Sequence, residues 1–428
     1  MSDQQEIPDD GDARNAGGAG ITRRGLLKGG AALGLAAGLG GPFIRTASAA
    51  EPIKIGVLLP KTGTYAAQGR QGHNGATLAV DDFGGKVLGR PVKLVWLDEN
   101  GPQMTQQHMH KLIHEEKVVA VQGGISSGDV LAVMPIAAKS KTLMMATGPN
   151  ATQITGSKCN RYTFRVDLPN HATVRTVFPH LKKHGLNWYF LVASYAWGID
   201  AYNQMKSLLV QNGGKAIGSD QAPLGTSDFS SYILKMKVAN PDVIFLGLGG
   251  RDLTNFLKQA HQVGITGKIP ISAPISNDTD LWAAGPHAAA GIFPKIWNYT
   301  GSQDTEKSHE FIKKYQAKFP TPPESEAWQD WFGTTAILTA IKETQSTNGE
   351  DLVKFLEGHK FSGYKKREMY FRDFDHQLIQ PTLVAKVKSN ITSKYNYFDI
   401  VDVEPAADKP VESIYVSKSE SDCKMGSL

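Results

Sequence analysis

Ile53-Lys54-Ile55-Gly56-Val57-Leu58-Leu59-Pro60 runs straight into Thr62-Gly63-Thr64 and then into helix-period sequence over residues 65–83. An apolar, β-branched run stopped by proline, a small polar turn and an amphipathic stretch make one strand–loop–helix unit. The unit recurs. Residues 92–97 read as a strand and 103–115 as a helix, then 118–121 as a strand and 129–138 as a helix, and 143–146 close the series. A second series follows, with helices at 171–184, 201–211, 230–238 and 253–262 and strands at 188–193, 243–248 and 269–272. Alternation at this spacing predicts parallel sheets covered on both faces. Two series of similar size predict two doubly wound, Rossmann-like α/β lobes, not one eight-fold barrel. Residues 293–300 lead back to the first lobe, where 306–317 and 329–343 read as helices, and from Pro405 the chain turns polar.

Composition narrows the classes further. The 428 residues are 41% hydrophobic and 20% charged, ordinary globular proportions that exclude a disordered or fibrous chain. Lys and Arg number 46 against 41 Asp and Glu, a net +5. The excess is not gathered into basic runs interleaved with aromatics, which excludes nucleic acid as the expected partner. Two cysteines, Cys159 and Cys423, rule out a disulfide-dense scaffold and a CxxC metal knuckle. Beyond the N-terminal segment no apolar stretch is long enough to span a bilayer.

That N-terminal segment reads as an address. Thr22-Arg23-Arg24-Gly25-Leu26-Leu27-Lys28 precedes a Gly/Ala-rich apolar stretch, Arg45 and an Ala47-Ser48-Ala49 cleavage site. Paired arginines with weak hydrophobicity resemble a twin-arginine export signal. Glycines at 34, 38, 40 and 41 followed by Pro42 argue against a packed helix of the fold. Residues 1–49 are therefore expected to be a signal peptide, with the working protein starting near Ala50 in the periplasm.

In open parallel sheets a ligand sits beyond the carboxyl ends of the strands. Three such loops are small and polar: Thr62 to Gly69, carrying Tyr65 and Gln68; Gly123-Gly124-Ile125-Ser126-Ser127-Gly128-Asp129; and Thr147-Gly148-Pro149-Asn150. Hydroxyls and free backbone N–H groups at a helix start suit a carboxylate or another compact polar head. Taken singly, Ser126 is also an ordinary helix cap. Gly249, just after the 243–248 strand, faces the same region from the second series.

With these residues in view, the sequence resembles the leucine/isoleucine/valine-binding family, the solute receptors of ABC importers for branched-chain amino acids and related amides and acids. The resemblance is carried by residues 53–60 with Thr62-Gly63, Gly75-Ala76, Ala79-Val80-Asp81 and Leu88-Gly89-Arg90-Pro91-Val92. It continues through 118–121, Ser126-Ser127, Arg161-Tyr162-Thr163-Phe164-Arg165, Pro241-Asp242-Val243 and 260–264. It implies a type I periplasmic binding fold, two lobes joined by three crossing strands and closing over ligand by a hinge. The implied lobes are 50–166 with 298–378 and 167–297 with 379–415, leaving 416–428 as a tail.

Carried over by residue, the family's carboxylate-holding serine falls on Ser127, helped by Ser126, Thr147, Gly148 and Asn150. Gln68 falls where members place an aromatic, with Tyr65 nearby, and Trp197 falls on the aromatic that covers the ligand. Pro274 occupies the position expected for the amine-binding carboxylate, and Asp252 or Asp278 are the substitutes in reach. A ligand without an amine, such as an aromatic or aliphatic acid, an amide or a urea, fits equally. The implied partner is an ABC permease, with a sensory protein as the alternative; the receptor is expected to be a monomer with no cofactor or metal and no catalytic step.

Other signals compete. Gly124-Ile125-Ser126-Ser127-Gly128 matches the G-x-S-x-G elbow of α/β-hydrolases, with Ser126 as nucleophile, but lacks a placed acid and histidine downstream. His108, His110 and His114 beside Glu115 and Glu116 suggest metal ligands, yet a solvated helix face explains them without a third placed ligand. Trp328 and Trp331 read as core, and Lys365-Lys366-Arg367 as a solvated strand edge. Cys159 and Cys423 are the pair available to an exported chain and are expected to form a disulfide pinning the tail to the first crossover between lobes.

Overall fold

The computed structural model describes residues 51–300 and 305–426. The signal-peptide expectation for residues 1–49 lies outside them. The first sheet grows outward from β1 (Ile53–Leu58), which leads into α1 (Ala66–Asp82), the short β2 (Lys86–Val87) and β3 (Arg90–Leu97). Then come α2 (Pro102–His110) with one π turn behind it, β4 (Ala120–Gly123), α3 (Ser127–Lys139), β5 (Leu143–Ala146) and β6 (Thr163–Arg165). The strand order is β2-β3-β1-β4-β5-β6, parallel apart from the β2–β3 hairpin. Every side chain of β4 and β5 is buried, as a sheet covered by helices on both faces requires.

The second sheet follows α4 (Asn170–Leu181) and consists of β7 (Asn187–Ala193), β8 (Lys215–Ala222), β9 (Val243–Gly247) and β10 (Ile271–Ser272), in the order β10-β9-β7-β8. Between them run α5 (Ala196–Gln211), α6 (Ser230–Ala239) and α7 (Gly250–Gln262), and α8 (Asp278–Ala284) follows β10. β11 (Ile292–Lys295) leads back towards the first sheet, where α9 (Glu306–Lys318), α10 (Ser325–Thr344) and α11 (Gly349–Leu356) pack. Two small antiparallel sheets complete the chain. One is built from β12 (Lys360–Phe361), β13 (Met369–Phe371) and β14 (Leu378–Ile379); the other pairs β11 with β15 (Thr382–Val387) and β15 with β16 (Phe398–Glu404).

Several elements depart from the sequence expectation for identifiable reasons. β8 was not expected because its side chains alternate exposed and half-buried, the pattern of a polar edge strand with no apolar run. α5 starts at Ala196 and α10 at Ser325, earlier than their apolar periodicity begins, which puts Trp197 and Glu326 into first turns. Lys365 corrects the solvated-edge expectation. It is buried, with Nζ donating to the carbonyls of Ile296 (2.5 Å) and Pro381 (3.0 Å) and lying 4.8 Å from the Trp328 ring centre. Trp328 and Trp331 belong to the first core.

Two features fix what the fold can do. α1 offers no side chain of its own to α10 at two points: a Cβ added at Gly75 would sit 2.0 Å from the Ala327 carbonyl, and one at Gly72 2.3 Å from Asp330 Oδ2. The connections between sheets are locked by Arg165, which donates to Gln377 Oε1 (2.6 Å), the Ala151 carbonyl (2.7 Å) and Thr155, while Gln380 Nε2 donates to the Val166 carbonyl (2.6 Å). The tail reaches this region through Tyr415, whose hydroxyl donates to the Gln380 carbonyl (2.9 Å), and is held by a Cys159–Cys423 disulfide across 264 residues. Closing so long a loop restricts the unfolded chain. Cys423→Ser is expected to lower stability by about 2–4 kcal/mol, read by denaturant titration, with neither cysteine of the parent alkylated until reductant is added.

Candidate functional site

Parallel register brings the carboxyl ends of three first-sheet strands level, Leu58 beside Gly123 and Gly123 beside Ala146. The loops that leave those ends meet the loops that leave β7, β9 and β10. A cavity of about 30 Å³ lies between them. Contacts across it are direct. The Arg251 amide donates to the Thr64 carbonyl at 3.1 Å, the Tyr65 and Tyr195 hydroxyls share a hydrogen bond of 2.7 Å, and Gln68 Nε2 donates to Asp280 Oδ1. Gly250 permits this approach: its φ is +60°, and a Cβ there would lie 2.5 Å from the Thr64 carbonyl.

Of the residues expected at the site, Tyr65, Gly148, Asn150, Trp197 and Gly249 line the cavity. Gln68 is fully buried and acts through Asp280. The other four are not lining residues. Ser126 caps α3, its Oγ accepting from the Asp129 amide at 3.4 Å, and Ser127 Oγ accepts from the Ala151 amide at 3.1 Å. Thr147 donates to Asp330 Oδ1 at 2.9 Å. Pro274 is buried just before the lining residues Ile275, Ser276 and Asn277.

The amide seat expected to take a ligand carboxylate is occupied by the chain itself. Glu99, which follows β3 and is 3% exposed, accepts from the Ile125 amide (2.8 Å to one oxygen, 3.1 Å to the other) and the Ser126 amide (2.7 Å). The Gly148 amide is likewise bound, to the Gly124 carbonyl at 2.9 Å. What sequence reasoning missed is acidic: Asp280 from the first turn of α8 and Glu326 from the first turn of α10, with Tyr195 and Ile125 beside them. Acids opening a helix after Asn277 and after Pro322-Pro323-Glu324 are a start signal that could have marked both positions.

Burial dominates their electrostatics. It lifts Asp280 to about 7, against the pull of the Gly250 amide, Gln68 and Lys295. It lifts Glu326 well above the carboxylate range, reinforced by Asp330, Asp167, Glu324 and Glu99, and lifts Asp330 and Asp167 each to about 7. Glu324, fully buried with both oxygens unpartnered, is raised by burial and then by Asp278 and Asp280. The buried cation here is Lys295, committed to Asp278 Oδ2 at 2.8 Å. His110 and His114, by contrast, stack on an exposed face of α2 and its π turn, remote in chemistry from this cluster.

Two parallel sheets whose strand-end loops wall a small aromatic and polar cavity are the architecture of a solute-binding protein. Residues 52–392 match the family model described as periplasmic binding protein, and the chain belongs to that family. It is 25% identical to Leu/Ile/Val-binding protein homolog 4 of Brucella melitensis over 368 residues, 81% of this chain and 86% of the relative. Among solved structures it is similar to a periplasmic binding protein from Burkholderia mallei, at 26% identity and TM-score 0.80, covering 87% of this chain and 99% of the other. It is also similar to the amino acid ABC transporter substrate-binding protein from Pseudomonas fluorescens Pf-5, at 25% and 0.78, covering 88% and 100%. Proteins of this family bind small molecules outside the cytoplasm, in the periplasm, and work with an ABC permease.

The raised carboxyls give a pH signature. Folded, they hold protons up to about pH 7 or beyond; unfolded, they release them near 4. Over that interval the folded state binds more protons, so stability falls as pH rises. Buried His171, held well below 6.5 by desolvation, acts oppositely only below that value. The melting temperature without added ligand is therefore expected to drop between pH 6.5 and 8, and Asp330→Asn to shrink the drop, both read by calorimetry.

Proposed function

We propose that this chain is the solute receptor of an ABC importer of the branched-chain amino-acid type, exported as residues 50–428 by a twin-arginine-like signal peptide. The ligand is a small carboxylate-bearing molecule, an amino acid or an aromatic or aliphatic acid, with an amide or urea as the alternative, captured in the interlobe cavity. The lobes are 50–166 with 298–378 and 167–297 with 379–415, and they close by a hinge at the three crossings. The observation that carries this reading is the cavity itself, walled by Tyr65, Gly148 and Asn150 from one lobe and Trp197 and Gly249 from the other. A ligand touching both walls stabilises the closed form by contacts the open form lacks. The closed surface of both lobes is then what a permease recognises.

The receptor acts as a monomer, without a catalytic step and without nucleic acid. Ser126 supports that reading because its hydroxyl is spent on capping α3. Trp197 supports it as the cover, being 5% exposed and tilted against Tyr195 with ring centres 6.2 Å apart. In a thermal-shift screen of amino acids, amines and small acids, a true ligand at a hundredfold excess over its dissociation constant adds about 2.7 kcal/mol. Trp197→Ala is expected to abolish that shift at the same concentration, while Ser126→Ala leaves it in place. Silence of this panel and of a wider solute library, in both melting temperature and tryptophan fluorescence, would overturn the receptor reading.

A further inference from the structure

Glu326 and Asp280 stand on walls of the cavity that come from different lobes, and no lysine, arginine or histidine is among the described residues that line it. Resting on the receptor reading above, we propose that the cleft selects a small organic ammonium ion lacking a carboxylate, held between Glu326 and Asp280 against Tyr65, Tyr195 and Trp197. Three observations converge on this. The first is the filled seat: Glu99 takes the Ile125 and Ser126 amides, and Ser127 is committed to the Ala151 amide, so the groups expected to dock a carboxylate are already bonded.

The second is an unspent acceptor. Glu326 is 2% exposed and its Oε2 has no hydrogen-bond partner, while a Cβ on the lining residue Gly148 would lie 2.9 Å from both its oxygens. The third is the charge imbalance around the site. Asp278, Asp280, Glu324 and Glu326 are all buried, and Lys295 is bonded to Asp278. An ammonium supplies the missing cation, and aromatic faces add to its attraction. The lining groups that could donate, Trp197 Nε1 and Ser276 Oγ, have no partner, which suits a neutral acceptor such as a hydroxyl or ether on the same ligand.

Cation capture requires the two carboxyls to ionise. Asp280 faces Gln68 on α1, the Gly250 amide on α7, Lys295 on β11 and its own neighbour Asp278. Glu326 faces Asp330 and Glu324 on or beside its helix, Asp167 after β6 and Glu99 after β3. With acids in such excess, an ammonium displaces a proton. Its affinity is expected to rise from pH 6 to pH 8, whereas a carboxylate docked on the protonated acids would lose affinity over the same range.

Matched triads test the assignment by titration calorimetry on the purified protein: isopentylamine, leucine and 4-methylpentanoate; isobutylamine, valine and isovalerate; phenethylamine, phenylalanine and 3-phenylpropanoate. The expected result is an amine binding at least tenfold tighter than its amino acid, with the acid silent and protons released on binding. E326Q and D280N are each expected to weaken the amine by roughly a hundredfold. An amino acid or acid that binds tighter than its amine overturns the proposal and leaves the receptor reading standing. Failure of all nine, with a hit from another solute class in a thermal-shift library, overturns it likewise; silence of the whole library overturns both. Should the variants fail to fold, the sign of the pH dependence in the parent protein decides alone.

Discussion

The contact of α1 with α10 sets the chemistry of this protein. At Gly72 and Gly75 the first helix has no side chain to hold the second away, and Ala327 and Asp330 of α10 fill the space. Gly148 after β5 makes the same allowance for Glu326. Backbone and small loops therefore let the acidic first turns of α10 reach the strand ends, the place where an open parallel sheet accepts ligands. A larger residue at any of these positions would push the carboxyls away from the cavity or split the helices.

Such proximity is expensive. Removing a carboxyl from water without a partner costs several kcal/mol, which proteins avoid by keeping the group protonated. Asp167, Asp280 and Asp330 rise to about 7 for that reason, and burial is the largest cause at each. Structural ion networks normally pair their acids, as Lys295 does with Asp278. Asp280 and Glu326, buried acids that line the cavity without a cation bonded to them among the described residues, are better explained by a partner that arrives than by stability.

The architecture was legible in the sequence and the site only partly so. The strand–loop–helix unit at 53–83 and its repeats lie in local periodicity, so β1, α1, β5 and α6 fall within a residue or two of expectation. β8 escaped because an edge strand needs no apolar run, and Lys365 because its burial depends on Trp328 and on two carbonyls distant in sequence. The strand-end loops gave Tyr65, Gly148, Asn150 and Gly249, which depend on topology alone, and the family resemblance gave Trp197. Ser126, Ser127 and Thr147 were legible as small polar residues, but not their engagement by Asp129, Ala151 and Asp330. Glu326 and Asp280 were invisible for the converse reason, since acids at helix starts are commonplace and only their shared place on the cavity wall gives them meaning.

The shared cavity wall also joins the two sides of the cleft through one carboxyl. Asp280 belongs to the second series of elements, yet its hydrogen-bond donors are the Gly250 amide at 3.0 Å from its own side and Gln68 from across the cleft. Its burial is therefore shared between the two sides of the cleft, which also meet at the Tyr65–Tyr195 and Arg251–Thr64 contacts. Groups from both sides keep water from the acid, and that desolvation is the largest cause of its raised pKa. A ligand that favours the ionised acid must therefore supply the charge stabilisation that water would otherwise give.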